Sequence, residues 1–282
     1  NIAGTEHISA ASNTVASAQT AETAYDNVAQ TFTNGGFRIP NVTSSSHGQL
    51  TLEFWIKPTQ VKDWNQQIGG PWGTFLLHAN SDGTMYYGWN TANRRQTDPI
   101  LRVGKWTHIA LVVNKNKATL YANGASQGVL TTTSFSGFPA FSDGLLMGYD
   151  VNSSNALYGT IDEVRVWDVA KTGKQVRESY DRPIASPATA KNLLAYLKMN
   201  TITEGGVTKL EDCAHGNHAI FINNNHRAAT VESNATIKHH DNLAAAIGGS
   251  DKALMGEGTR FAVDGGVDAG AFEWTATTAT PA

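Results

Sequence analysis

Apolar residues in this chain recur at alternate positions in short runs, and turn residues separate the runs. The clearest run is Leu50-Thr51-Leu52-Glu53-Phe54-Trp55-Ile56-Lys57-Pro58. Leu50, Leu52, Phe54 and Ile56 share one face of a strand, and Pro58, which has no N–H to donate, ends the ladder. Trp106 to Asn114 and Ala118 to Tyr121 predict a hairpin, and Asn123-Gly124 after it suits a type I′ turn, whose two central residues need positive φ. Thr74 to Ala79 and Thr84 to Asn90 flank Asp82-Gly83 and predict another hairpin. Val28 to Thr33 alternates, Asn34-Gly35 follows, and Gly36 to Ile39 continues, which predicts a first hairpin turning at Asn34-Gly35. Asp143-Gly144 precedes a further strand, Leu145 to Tyr149. In Gly159 to Asp168, Asp162, Glu163 and Arg165 interrupt the apolar Ile161, Val164 and Val166, which cannot all face water.

The period then changes. Thr172-Gly173-Lys174-Gln175 matches a capping box, with Thr172 as N-cap, and Val176 and Tyr180 lie four apart on one face of a short helix. Many short strands at hairpin spacing with one late helix predict an all-β protein, a β-sandwich. We expect one sandwich domain over 1–183, a Pro-containing linker over 184–190, and a small C-terminal β-rich module over 191–282, opening with Asn192 to Met199. The Ala-, Ser- and Thr-rich residues 1–27 read as an irregular edge strand or as flexible chain.

Composition narrows the functional classes. Charged residues make up 16% of the 282 and the formal net charge is −3, so no electrostatic footprint for nucleic acid or an anionic membrane is present. No apolar run approaches the length of a membrane span, and no basic-then-apolar leader opens the sequence. The one cysteine, Cys213, excludes an intramolecular disulfide and favours a bacterial exported protein or a cytosolic one. Low charge, 27 glycines and abundant Thr, Asn and Ser favour a β-rich secreted protein.

Leu52–Pro58, Gly104–Val113, Leu120–Gly124 and Gly159–Trp167, in this order, resemble the laminin-G-like, concanavalin A-like lectin/glucanase family. The resemblance covers roughly Gly36 to Asp181 and implies a jelly-roll sandwich that holds carbohydrate or protein ligands. Glu211-Asp212, Gly216-Asn217-His218 and the late Trp274 are similar to a module that follows such domains in Bacteroides-type surface proteins. That similarity implies an extracellular or cell-surface location, as an outer-membrane lipoprotein that helps capture glycans. Calcium is common in the family and needs six to eight oxygen ligands. Asp150, Asn152 and Asp162 are the candidates for it, with Asn155 and Asp143 near in sequence.

Sugar recognition needs aromatic faces for C–H surfaces and amides, carboxylates or Arg for hydroxyls. The Gly-rich segment 61–73 supplies Asp63, Trp64 and Trp72, outside any strand pattern. The next strand supplies Tyr87 and Trp89 on one face and Tyr86 and Asn90 on the other, followed by Arg94 and Arg95. Asp63, Trp64, Trp72, Tyr87, Trp89, Asn90, Arg94 and Arg95 are therefore the candidate ligand-binding residues. The alternative for the tryptophans is structural, with Trp64 and Trp72 pinning the loop and Trp89 filling the core.

Catalytic and zinc signals are weak. Gly124-Ala125-Ser126-Gln127-Gly128 has the Gly-x-Ser-x-Gly pattern but sits between β segments, where a nucleophile elbow needs a strand-to-helix turn. Glycosidic hydrolysis needs two positioned carboxyls. Glu53 stands alone on its strand, and Asp162 and Glu163, as neighbours, are expected on opposite faces. Cys213, His215 and His218 lack a fourth zinc ligand nearby. The expectation is a non-catalytic protein that captures a polysaccharide or glycoprotein glycan through aromatic residues. A protein-binding adhesion module is the alternative, and a glycoside hydrolase comes third.

Overall fold

The computed structural model describes residues 28–40, 42, 48–60, 66–70, 76–137, 144–148, 157–222, 228–233 and 235. In chain order the strands are β1 (Val28–Ile39), β2 (Gln49–Pro58), β3 (Gln66–Gly69), β4 (Leu76–Ala79), β5 (Met85–Asn90), β6 (Asn93–Gln96), β7 (Thr107–Asn114), β8 (Lys117–Ala122), β9 (Ala125–Thr131), β10 (Leu145–Met147) and β11 (Leu157–Trp167). Helix α1 (Gly173–Ser179) and a 3₁₀ turn over Pro187–Thr189 follow. Then come β12 (Leu193–Leu197), β13 (Thr201–Glu204), β14 (Val207–Leu210), β15 (Ala219–Ile222) and β16 (Ala229–Glu232). The fold is the expected all-β sandwich, and every strand pairing among the described residues is antiparallel.

Two sheets share β1. Sheet I runs β16-β1-β11-β2-β7-β8-β9, and sheet II runs β6-β5-β4-β3-β10-β1-β15-β14-β13. Asn34-Gly35 is therefore no hairpin turn, which corrects the expectation from sequence. Gln30–Thr33 pair with β11 in sheet I, and Phe37–Ile39 pair with β10 in sheet II. Asn34 takes a left-handed backbone (φ 57) where the ladder register shifts, so the strand turns the corner between sheets instead of reversing. A local pattern cannot separate the two outcomes, because the partners that decide it lie over a hundred residues away.

The other turns fall where expected. Asn123 (φ 46) and Gly124 (φ 77) both have positive φ and join β8 to β9, with Ala122 opposite Ala125. Asp82 closes the β4–β5 turn by accepting from the Thr84 amide at 2.9 Å and the Thr84 hydroxyl at 2.7 Å. Thr172 caps α1 with a complete capping box.

Leu50, Leu52, Phe54 and Ile56 face the core with Ile109, Leu111, Leu120, Ile161 and Val166 from sheet I and Phe37, Leu77, Tyr87 and Met147 from sheet II. The outer face of sheet I is also covered. Val176 of α1 packs on Ala110, Val112 and Tyr121, while Tyr180 lies against Trp55 and His108. Trp55 donates its indole N–H to the Tyr180 carbonyl at 3.2 Å. β2 is thus buried on both faces, and this is what drives Glu53 out of water. Past the 3₁₀ turn, β12 pairs with β11, and β15 and β16 pair with β1, so these strands extend the two sheets of the sandwich.

Candidate functional site

Chemistry-bearing side chains collect on the outer faces of the two sheets, in opposite electrostatic states. On sheet I the ladder between β11 and β2 shifts register between Asp162, opposite Trp55, and Arg165, opposite Glu53. Glu163 takes φ 51 in this β-bulge. The extra residue cancels the strict alternation, so Asp162 and Glu163 both lie on the covered outer side with Arg165. This corrects the expectation that they face opposite ways. Arg165 meets Glu163 at 2.6 Å and Glu53 at 3.9 Å, its Nη1 and Nη2 also donate to the carbonyls of Ser179 and Arg182, and its Nε has no acceptor. Lys171 Nζ meets Glu53 at 2.7 Å, and Tyr196 donates to Glu163 at 2.5 Å. Asp162 accepts from the Ser233 hydroxyl at 2.5 Å and from the Glu163 amide at 2.7 Å.

These carboxylates are shut away from solvent: Glu53 is 0%, Asp162 2% and Glu163 1% exposed. Burial, with the Glu163 charge alongside, pushes the Asp162 carboxyl up to about 7. Burial also holds His108 well below the usual imidazole range and raises the Tyr196 phenol. All three carboxyls are buried and already engaged by Lys171, Arg165, Tyr196 and Ser233. The layer is a paired ionic network that ties α1 and β12 to the sandwich. Glu53 reads as solitary in the sequence because its partner Lys171 is 118 positions away.

On sheet II the outer face carries His78, Tyr86, Arg94 and Arg38. His78 stands opposite Tyr86 across β4–β5, and Arg94 stands opposite Gly88 across β5–β6. The Arg94 guanidinium lies 3.9 Å from the centroid of the Tyr86 ring. Tyr86 and Arg94 are half-buried and reach solvent. Gln96, opposite Tyr86, donates to the Thr84 hydroxyl at 2.8 Å. Burial, then the Arg94 charge, pushes His78 down to about 4, so its ring is neutral at physiological pH. Four strands further along the sheet, Arg38 lies between Leu146 of β10 and Ile220 of β15. Residues 61–65 and 71–75 bound β3, the neighbour of β4.

The candidate residues from sequence divide accordingly. Arg94 is on this face. Asp63, Trp64 and Trp72 lie outside the described residues. Tyr87 and Trp89, 0% and 1% exposed, fill the core and present no ring to a ligand, a correction that follows from the core-facing phase of β5. The Trp89 indole N–H donates to the Gly137 carbonyl at 2.8 Å, and its ring stacks on Phe135. The Tyr87 hydroxyl donates to the Gly128 carbonyl at 2.9 Å. Arg95 is exposed and lies over Gly128, where an added Cβ would come within 2.6 Å of its Nε. Asn90 is occupied by the β5–β6 turn, accepting from the amides of Ala92 and Asn93. Tyr86 takes the place of the core pair, and the signal for it is its position one residue out of phase with Met85, Tyr87 and Trp89, whereas His78, 2% exposed, is as buried as they are.

Asp150 and Asn152 also lie outside the described residues. Asp162 is enclosed by Ser233 and the bulge of β11. Among the described residues no group of three or more His, Cys, Asp or Glu could hold a metal ion.

Comparison with known proteins places this geometry. A protein from Bacteroides ovatus, provisionally named a carbohydrate-binding protein, superposes with a TM-score of 0.62 at 21% identity, over 75% of this chain and 61% of its own. The chain thus spans less than two thirds of that protein's length. A heptameric SAP-like pentraxin from Limulus polyphemus superposes at 0.44 and 22% identity, over 55% of this chain and 82% of its own. Domain 4 of an extracellular arabinanase from Geobacillus stearothermophilus, in complex with arabinotriose, gives 0.41 and 22%, over 51% of this chain and 71% of its own. No curated protein matches the chain. The family description that matches is that of the concanavalin A-like lectin/glucanases superfamily, over residues 31–177, more than half of the sequence and the span that builds both sheets. The chain belongs to the concanavalin A-like lectin/glucanase superfamily, in its laminin-G branch.

Proposed function

We propose that this protein binds carbohydrate without turning it over, as an extracellular or cell-surface protein that captures a glycan on the outer face of sheet II. The observation that carries the reading is the Tyr86–Arg94 pair. It stacks a fork of N–H donors on an aromatic ring, both partly exposed on the outer sheet face of a lectin-like sandwich. Sugars offer both complements, C–H faces for the ring and hydroxyls for the donors. Asp63, Trp64 and Trp72, in the segments that flank β3 in sequence, are proposed as further ligand contacts. The enclosure of Glu53, Asp162 and Glu163 by cations and hydroxyls supports binding over hydrolysis, since glycosidic cleavage needs two carboxyls that reach substrate. No helix among the described residues is long and apolar enough to cross a membrane.

A glycan array with the purified chain tests the reading, run with calcium and again with chelator. Selective binding that Tyr86→Ala removes while the melting temperature holds is the expected result. A blank array with folded protein overturns it in favour of a protein ligand. The chelator arm reads whether calcium, through Asp150 and Asn152, takes part.

A further inference from the structure

The two outer faces treat arginine differently. Under α1, Arg165 and Lys171 are matched by Glu163 and Glu53. At the far end of sheet II, Lys209 is matched by Glu204 at 2.8 Å. Toward the opposite edge of sheet II the balance fails. Strands β3, β4, β5, β6 and β10 with the Gly36–Ile39 half of β1 contain Arg38, Arg94 and Arg95 and no Asp or Glu. Arg95 leaves for the sandwich edge over Gly128. Arg38 and Arg94 stay on the outer face, and among the described residues neither has a carboxylate partner. The Arg38 Nε, like the Arg165 Nε under α1, is buried without a hydrogen-bond acceptor. This concentration of positive charge occurs in a protein whose net charge is −3.

We propose that the ligand of this face is an anionic saccharide, one bearing carboxylate or sulfate groups, with Arg94 and Arg38 as its two anion contacts. The inference rests on the glycan-binding reading above and deepens it. Arg94 is held in place by the Tyr86 ring, so its planar fork is oriented before the acid arrives. His78 near it is buried and neutral, so it adds no competing charge. Four strand spacings separate β5, over which the Arg94 guanidinium lies, from β1, which carries Arg38, or about 19 Å across the sheet. That span suits an extended oligosaccharide with more than one acid group lying across the strands. A single acidic monosaccharide would engage one arginine only.

The test compares acidic oligosaccharides (uronate-, sialate- and sulfate-bearing) with the same oligomers methyl-esterified or desulfated, on wild type, Arg94→Gln and Arg38→Gln. Binding confined to acid-bearing glycans is expected, weakening about tenfold or more on neutralisation of the acid and about tenfold in each variant. Affinity should also fall with added salt, a wild-type measurement that needs no variant to fold. Melting temperatures confirm that the variants are intact. Neutral oligomers bound as tightly as acidic ones, or folded Arg94→Gln and Arg38→Gln binding like wild type, would overturn the anionic assignment and leave carbohydrate binding standing. Absence of binding to every glycan, acidic and neutral, would overturn both readings together.

Discussion

Ser233 donates its hydroxyl to Asp162 at 2.5 Å, joining positions 71 residues apart. The contact anchors the segment after β16 to the bulge of β11, the same irregularity that directs Glu163 toward Arg165 and Tyr196. One inserted residue in one strand thus organises the covered face of sheet I and holds Ser233, just after β16, against it.

Asp162 makes stability depend on pH. Its carboxyl is pushed from 3.8 up to about 7, chiefly by burial. A carboxyl with a higher pKa folded than unfolded takes up a proton on folding, so its contribution is most favourable below pH 4 and is lost as pH rises through 7. By linkage the difference is at most about 4 kcal/mol. His108 and His78, held neutral by burial, act in the opposite direction below their ordinary range. The informative quantity is therefore wild type minus Asp162→Asn, measured by denaturant unfolding at several pH values. The variant should gain relative stability steadily between pH 4 and 7 and hold a constant advantage above. A pH-independent difference would refute the assignment.

Lys171→Met should destabilise by about 3–5 kcal/mol, because Glu53 would keep only the 3.9 Å contact with Arg165. Adding Glu53→Gln to Lys171→Met should recover a substantial part, since the buried charge disappears with its partner. Urea unfolding of the two single variants and the double one reads the coupling.

Trp89→Ala and Tyr86→Ala should separate core from surface. Trp89 is buried against Phe135, so its loss should cost about 3–5 kcal/mol of stability. Tyr86→Ala should change stability by less than about 1 kcal/mol and abolish ligand capture. Paired thermal melts and binding titrations would show the contrast, and a Tyr86 variant that retains full affinity would remove it from the site.

Gly36→Ala should be among the most damaging glycine changes, at about 3 kcal/mol, because the new Cβ would lie 2.1 Å from the Met147 carbonyl oxygen. Gly48→Ala, with nothing within 4 Å of its Cβ, is the control and should be neutral or slightly stabilising in the same denaturation assay.

Much of the fold is legible in local pattern. The run from Leu50 to Pro58, the positive-φ pair Asn123-Gly124 and the Thr172 capping box each carry their physics within a few residues, and each forms as predicted. Asn34-Gly35 misleads because the same dipeptide suits a reversal and a bulged corner, and only the distant β10 and β11 choose between them. Tyr87 and Trp89 mislead for a related reason. Aromatic residues next to Asn and Arg resemble a sugar platform, but the phase of β5 against the core turns them inward and leaves Tyr86 outside.

The sequence by itself determined the alternation that demands two sheets, most of the turns, the helix cap and the family resemblance, because those rest on neighbours within one strand or turn. Tertiary structure alone decided which charges are matched. Glu53 finds Lys171, and Asp162 finds Ser233, across long separations, while Arg38 and Arg94 are brought to one face with no carboxylate partner among the described residues. Electrostatic pairing depends on distance in space and on exclusion of water, and strand order, a product of the whole chain, sets both.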